Sequence, residues 1–238
     1  MPPVERPRPA PHLEVLTDGE VEIVGRLPWS SNHTFVARVA LGDQEVMAVY
    51  KPGRGERPLW DFPPNLYRRE RAAYLLSEAL GWAIVPETVL RDDLPLGDGS
   101  LQRFVDADFD QHYFTLLEDG VRTDELLRVG VFDILCNNAD RKSGHCLLAE
   151  ERIWAIDHGL TFHEHPKLRT VIWDFAGTRV PDELRADAAR LAASPPLDLL
   201  ALLDDDEAEA FVHRCALVAR LDCMPHPTHD RAYPWPLV

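Results

Sequence analysis

The chain has 238 residues and a formal net charge of −15, with 40 acidic side chains against 25 lysines and arginines. That length is enough for one large or two small domains around a sizeable core. The negative balance argues against nucleic-acid binding, which requires clustered positive charge. It also argues weakly against docking on an anionic membrane.

The N-terminus is rich in proline and lacks the charged-then-apolar order of a secretion signal, and no apolar run approaches the length of a membrane-spanning helix. We therefore expect no stable membrane insertion. The four cysteines are scattered along the chain, which favours reduced thiols and a cytoplasmic location.

Residues 1–12 contain five prolines and are predicted to form an extended, poorly ordered tail. Three β-like runs follow, "EVEIVGRL", "TFVARVAL" and "EVMAVYKP", and short turns between them predict an antiparallel meander. The first turn contains Ser30, Ser31 and Asn32. Its backbone N–H groups could face a phosphate, although an ordinary polar hairpin turn is the simpler interpretation.

The third strand alternates, so that Val49 and Lys51 point to one face and Ala48 and Tyr50 to the other. If Val49 faces the interior, Lys51 does too, and its ammonium group then needs an anionic partner. The strand therefore marks Lys51 as a candidate functional residue.

The segment "NLYRRERAAYLLSEALG" predicts a helix that Asn65 caps and Gly81 ends. On this helix Glu70 shares a stripe with Ala73, Tyr74 and Ser77. A carboxylate on the buried edge of that stripe would suit Lys51, and a solvated glutamate is the alternative.

Two further strands are predicted within "AIVPETVLRD" and "GSLQRFVDAD", followed by a polar linker with a short helical turn. A helix capped by Thr123 then leads into the polar loop "NNADRKSGH". After a short hairpin the chain reaches "AIDHGLTF", and its remainder reads as helices, loops and an irregular Pro-rich end.

Asp140 and Asp157 therefore follow neighbouring buried elements, and such a scaffold brings the two carboxylates together. Two close carboxylates repel each other unless a positive charge lies between them. A divalent cation with a phosphate group is the usual occupant of such a site.

The order of these parts resembles the protein-kinase-like fold. Four segments carry the likeness: "VYK" at 49–51, Glu70, "NNADRKSGHCLL" at 137–148 and "AIDHGLTF" at 155–162. The last two are similar to the catalytic and metal-binding segments of the phosphatidylinositol 3-/4-kinase-like superfamily. Type II phosphatidylinositol 4-kinases and their bacterial relatives are the nearest match, and HipA-type kinases share the layout.

The resemblance implies an α+β, two-lobed fold, with an N-terminal antiparallel sheet plus one helix and a mostly helical C-terminal lobe. It places the N-terminal lobe at 13–106 and the C-terminal lobe at 107–238. It also implies ATP and Mg²⁺ as cofactors, with Mn²⁺ as the alternative metal. Asp140 and Lys142 would be the catalytic residues, with Lys142 near the transferred phosphate, and Asp157 and His145 would be the metal ligands.

The residues that would contact ATP also follow from the resemblance. Lys51, oriented by Glu70, would bind the phosphates, and the turn at 30–32 would cap them. The hinge at 101–105 would hydrogen-bond adenine, with an apolar floor beneath the base. The implied nucleotide contacts are Ser30, Ser31, Asn32, Val49, Lys51, Glu70, Gln102, Arg103, Phe104, Val105, Leu147 and Ile156.

His145 stands where the family normally has an asparagine that binds a second metal. Imidazole is a softer ligand than an amide oxygen, so it fits Mn²⁺ or Zn²⁺ better than Mg²⁺. One-metal catalysis, a changed metal preference and a pseudokinase are all compatible with this substitution.

The leading hypothesis is an ATP-dependent phosphotransferase that acts on a hydroxyl group of a protein or small molecule. The resemblance itself implies a lipid acceptor. A nucleotide-binding pseudokinase with a regulatory role is the alternative from another class, and transfer of AMP is a third possibility. Cys215 and the "CMPHPTH" segment invite a zinc interpretation, but their spacing fits no standard structural site.

Overall fold

The computed structural model describes residues 11–27, 32–227 and 232–237. An antiparallel sheet with the strand order β1-β2-β3-β5-β4 forms the N-terminal lobe. Its strands are β1 (Glu20–Arg26), β2 (Phe35–Leu41), β3 (Gln44–Pro52), β4 (Thr88–Arg91) and β5 (Gly99–Arg103). The predicted meander and the two later strands are thereby confirmed.

The two faces of β3 have different surroundings. Ala48 and Tyr50 are fully buried in the core beneath the sheet. Val49 and Lys51 lie on the opposite face, where they line a cavity between the lobes. The alternation predicted from the sequence therefore points Lys51 into the cleft.

The helix α1 (Pro11–Asp18), which was not predicted, packs against this sheet. Its first two residues belong to the segment 1–12 that was predicted to be an extended tail, and residues 1–10 lie outside the described residues. Val15 and Leu16 are buried there. Burying one large apolar side chain contributes about 1.5–3 kcal/mol, which favours a helix that the proline-rich composition does not suggest. The N-terminal lobe therefore has two helices rather than one.

The second helix, α2 (Leu66–Leu80), ends at Gly81 as predicted, with a φ of 75°. The predicted cap at its other end is wrong. Asn65 has a φ of 68°, and its side chain makes no capping hydrogen bond. Instead the Tyr67 N–H donates to Oε1 of Glu56 at 2.8 Å, so the preceding loop supplies the capping carboxylate.

The C-terminal lobe is mostly helical. Thr123 is the first residue of its central helix, Thr123–Cys136, rather than the predicted cap, and Arg122 precedes it without a side-chain capping bond. The lobe contains α3 (Tyr113–Asp119), α4 (Thr123–Cys136), the hairpin β6 (Cys146–Ala149) and β7 (Arg152–Ala155), α5 (Asp182–Ala193), α6 (Leu197–Leu200) and α7 (Asp205–Val218). The α+β, two-lobed class is confirmed, whereas the division of the chain after residue 106 stays a prediction.

All four cysteines are free thiols, and only Cys223 is exposed. Within residues 11–27, 32–227 and 232–237, no helix is both long and apolar enough to cross a membrane.

Candidate active site

Lys51 lies at the centre of the cleft between the lobes. Its Nζ is 2.5 Å from Oε1 of Glu70 on α2 and 2.8 Å from Oδ1 of Asp157, which follows β7. The other carboxylate oxygen of Glu70, Oε2, accepts the His158 N–H at 3.0 Å. Three predicted site residues from three separate elements are thus in direct contact, and Glu70 is buried rather than solvated.

This ion cluster fixes the charge of its members. Burial alone would raise the pKa of Asp157, but Lys51 and His145 together hold that pKa well below its usual range. Burial opposes the charged form of Lys51 as well, yet Asp157 and Glu70 raise its pKa above the ordinary value. An ammonium group and a carboxylate therefore coexist in the cleft at neutral pH.

Asp140 lies within the polar loop after α4, with Lys142 beside it. The Lys142 Nζ lies 3.2 Å from Oδ2 of Asp140. Burial raises the pKa of Asp140 to about 6, while the positive charge of Lys142 opposes the rise. Asn138 holds the loop, because its Oδ1 accepts the Asp140 N–H at 3.0 Å.

Arg141 is fully buried beneath this loop, and sequence reasoning assigned it no role. Its guanidinium group donates to Asp133 of α4 at 2.9–3.2 Å and to the carbonyl oxygen of Ile156 at 2.7 Å. It also contacts His158 at 2.6 Å. Arg141 thus ties the Asp140 loop to the segment that carries Asp157.

His145 contacts both of these segments. Its Nε2 is 3.3 Å from Oδ2 of Asp157, and its Nδ1 lies 3.3 Å from the Lys142 N–H. The pKa of His145 is lowered to about 4, mainly by burial and also by the cations Arg141 and Lys142, against the opposing charge of Asp157. The imidazole is therefore neutral at physiological pH.

A cavity of about 680 Å³, which we call the nucleotide cavity after the ligand predicted from the sequence, extends from this cluster along the face of the sheet that carries Val49. Val105, Leu147 and Trp154 pack together in an apolar group beside it, with Ile156 against them. The predicted residues that line it are Val49, Lys51, Gln102, Arg103, Phe104, Val105, Lys142, His145, Leu147, Ile156 and Asp157.

Several backbone and side-chain groups of the predicted hinge are already bonded to protein. The Arg103 guanidinium pairs with Glu87 at 2.6 Å and Glu150 at 2.8 Å. The Gln102 amide donates to Thr88 at 2.9 Å, and the Phe104 N–H donates to the carbonyl oxygen of Met47 at 2.8 Å. These residues contribute mainly shape to the cavity.

A smaller cavity of about 280 Å³, which we call the phosphate cavity after the group predicted to bind there, adjoins the first and is lined by Asn32, Lys51, Glu70, Asp140 and Asp157. The predicted residues Ser30 and Ser31 lie outside the described residues. Sequence reasoning missed Arg57, which lines both cavities from the loop after β3. Its place between glycines and prolines in "GRGERP" was the available signal.

A third cavity, of about 840 Å³, shares only Asp140 with the phosphate cavity. The nucleotide and phosphate cavities in turn share Lys51 and Asp157. The described predicted residues therefore line two cavities that share walls, with Asp140 at the boundary of the third cavity.

The chain has a two-lobed, protein-kinase-like fold, and known structures share it. A structure of hydra Fam20 with sugar matches with a TM-score of 0.58 and 15% identity, over 87% of this chain and 86% of that chain. The Helicobacter pylori proinflammatory kinase CtkA matches with a TM-score of 0.51 and 11% identity, over 91% and 95% of the two chains. At these identities the likeness shows the fold alone.

No protein-family model matches the sequence. The chain is 38% identical to Protein Rv2133c of Mycobacterium tuberculosis (strain ATCC 25618 / H37Rv) over 264 aligned residues, which cover 93% of this chain and 94% of that protein. The chain belongs to the same family as Protein Rv2133c.

Proposed function

We propose that this protein is an ATP-dependent phosphotransferase that moves the γ-phosphoryl group to a hydroxyl acceptor. The observation that carries the proposal is the path of three cavities, joined first by Lys51 and Asp157 and then by Asp140. In-line transfer needs a donor and an acceptor on either side of one catalytic carboxylate, and this order of cavities leaves room for both.

In this proposal the nucleotide cavity holds the ATP. Val49 and Leu147 would enclose the base from opposite lobes, and Lys51 would bind the phosphates. Because the Phe104 N–H already donates to Met47, the backbone of Val105 is the better candidate for the adenine edge. Arg57 would add a positive charge at the phosphates.

The donor set of the cleft fits a metal ion that arrives with the nucleotide. Mg²⁺ prefers oxygen ligands and is commonly held by one or two carboxylates plus substrate phosphates. Asp157 supplies such a carboxylate, and no group of three or more His, Cys, Asp or Glu side chains in the described chain could hold a metal without help. When bound, Mg²⁺ would neutralise phosphate charge.

Asp140 would accept the proton of the attacking hydroxyl. The acceptor oxygen forms a bond to the γ-phosphorus, the bond from the γ-phosphorus to the bridging oxygen breaks, and ADP leaves with that oxygen. The proton passes from the hydroxyl to the Asp140 carboxylate. Lys142, 3.2 Å from Asp140, would hold the carboxylate in place and balance charge on the transferred group.

His145 would orient Asp157 rather than bind a second metal ion. With Nδ1 accepting the Lys142 N–H, Nε2 carries the hydrogen and can donate to Asp157. In that tautomer neither ring nitrogen is free to bind a metal, so His145 would not hold a second ion and the enzyme would use one metal. The same contact motivates the alternative, a nucleotide-binding pseudokinase that lacks the second metal, and Mn²⁺ would then restore no transfer.

We further propose that the protein is related to type II phosphatidylinositol 4-kinases and HipA-type kinases. A cytoplasmic location is also part of the proposal. The acidic chain favours a protein or soluble acceptor over a membrane lipid. Product mass would separate phosphoryl transfer from transfer of AMP.

Calorimetric titration with ATP, run with Mg²⁺, with Mn²⁺ and without metal, tests the proposal beside an ATP-turnover assay. We expect metal-dependent binding, slow turnover and a loss of binding in Lys51→Met. Binding without turnover under either metal would favour the pseudokinase. An absence of binding would overturn both functions.

Activity should rise with pH around pH 6. Asp140 must be deprotonated to accept a proton, so kcat/KM for ATP should fall about tenfold per pH unit below its pKa of about 6. The pKa of His145, at about 4, and the depressed pKa of Asp157 lie below this window. A profile of kcat/KM from pH 5 to pH 9 measures this fall, which is the acidic limb of the profile.

Lys142→Met provides the matched test of that limb. Removing the positive charge raises the pKa of Asp140 further, so the acidic limb should move to higher pH. An unchanged limb in Lys142→Met would assign the titration to another group.

A further inference from the structure

The third cavity lies on the acceptor side of Asp140 and is built from parts far apart in the sequence. Trp60 and Asp61 come from the loop after β3, and Arg169 comes from the segment after the Asp-His-Gly turn. The segment 233–237 near the chain end closes another side. This segment is anchored to the Asp140 loop, because the Ser143 N–H donates to the carbonyl oxygen of Leu237 at 2.8 Å.

Aromatic side chains form much of its wall. Trp60 is 94% exposed and Trp235 is 88% exposed, while Tyr233 is about half exposed. Large aromatic rings left in water beside a cavity are characteristic of a binding surface. Their flat faces stack against flat or C–H-lined ring surfaces and leave the polar edges of such a ring free.

Arg169 adds a positive charge to this aromatic surface. Hydrogen bonds hold its backbone on both sides: its N–H donates to the carbonyl oxygen of Asn138, and its carbonyl oxygen accepts the Arg141 N–H. Among the described residues no carboxylate forms a direct ion pair with the Arg169 guanidinium, and its charge helps to lower the pKa of Asp140 in the same cavity. The other acid of the cavity, Asp61, is neutralised by Lys167 at 3.2 Å. Arginine recognises carboxylates and phosphates through paired hydrogen bonds.

We propose that this cavity is the acceptor site and that it binds a small hydroxylated ring with an anionic substituent, such as a sugar phosphate or a sugar acid. Trp60 and Trp235 stack against the ring, Arg169 binds the anionic group, and one ring hydroxyl meets Asp140. The inference rests on the proposed phosphotransfer. Aromatic faces, rather than the open edge of a strand, line the cavity, so a ring fits it better than an extended peptide.

Saturation-transfer NMR on the full chain tests this site without requiring turnover. The probes are glucose 6-phosphate, ribose 5-phosphate and glucuronate, with glucose, ribose and inorganic phosphate as controls for ring and anion alone. We expect at least one anionic sugar to bind at least about tenfold more tightly than its neutral parent. Equal binding of the anionic and neutral compounds, or no binding of any ring, would overturn the proposal.

Matched variants assign the binding to the cavity. Arg169→Ala should remove the preference for the anionic sugar. Trp235→Ala should weaken the binding of every ring compound, whereas Trp235→Phe should retain that binding. The control variant is Arg220→Ala. Arg220 is exposed and lines none of the three cavities, so this variant should bind the sugars as the wild type does. Wild-type binding in both Arg169→Ala and Trp235→Ala would contradict the assignment.

ATP titration of the same samples separates this inference from the phosphotransfer on which it rests. Unchanged ATP binding in the variants, together with lost sugar binding, supports both. Normal ATP binding without binding of any sugar would overturn only the proposed acceptor class. The acceptor class would also be overturned if the Arg169→Ala variant phosphorylated a protein substrate at the wild-type rate. Sugar binding without ATP binding overturns the phosphotransferase.

Discussion

Asp157→Ala should reduce metal-dependent ATP turnover by at least about 100-fold, because electrostatic stabilisers at a transferring group are each worth about 10²–10³-fold in kcat. The loss has two causes. The cleft loses the carboxylate best placed for the metal, and Lys51 loses the partner that holds it 2.8 Å away. Steady-state turnover with Mg²⁺ measures this effect.

Asp157→Asn separates charge from shape, since it keeps the size of the side chain and should lose turnover to a similar extent. Asp93→Ala serves as the control. Asp93 also pairs with a cation, Arg91, but lines none of the three cavities, and its variant should retain activity. Turnover of Asp157→Ala within a few-fold of the wild type would sink the assignment of Asp157 as metal ligand.

Arg141→Met should be among the most destabilising substitutions in the chain. The variant leaves Asp133 buried and without its main positive partner, and breaking a buried ion pair from one side costs about 3–5 kcal/mol. For a chain of this length, that corresponds to a fall of roughly 6–20 °C in the unfolding temperature. Thermal unfolding followed by circular dichroism measures it.

Two controls test the cause. Arg38→Met removes the partner of Glu22 on the exposed side of the sheet and should leave the unfolding temperature nearly unchanged. The double variant Asp133→Leu/Arg141→Met removes both buried charges and should be more stable than Arg141→Met alone. A double variant that is less stable than the single one would show that the ion pair is not the source of the loss.

Lys51, Glu70, Asp140 and Asp157 could be predicted because local patterns position each of them. Strand alternation turns Lys51 to the face of Val49, and helix periodicity places Glu70 on the buried stripe of α2. The two aspartates follow elements whose apolar composition marks them as buried. Their approach in space then follows from the order of the elements along the chain.

The parts that could not be predicted depend on distant contacts. Helix α1 gains its stability from Val15 and Leu16 against the sheet, and local composition carries no record of that packing. A buried Arg141 contradicts the usual exposure of arginine and requires Asp133, eight positions earlier, together with a carbonyl group from another segment. The third cavity likewise requires residues near 60, 169 and 235 to meet.

Glu70 uses its two carboxylate oxygens for different purposes, one for the Lys51 ammonium and one for the His158 N–H. Any shift of α2 that withdraws this side chain would break both contacts at once. Lys51 would then keep only Asp157 as its carboxylate partner, and the His158 N–H would lose its acceptor. The position of α2 therefore couples the cleft lysine to the turn after Asp157, because one side chain bonds to both.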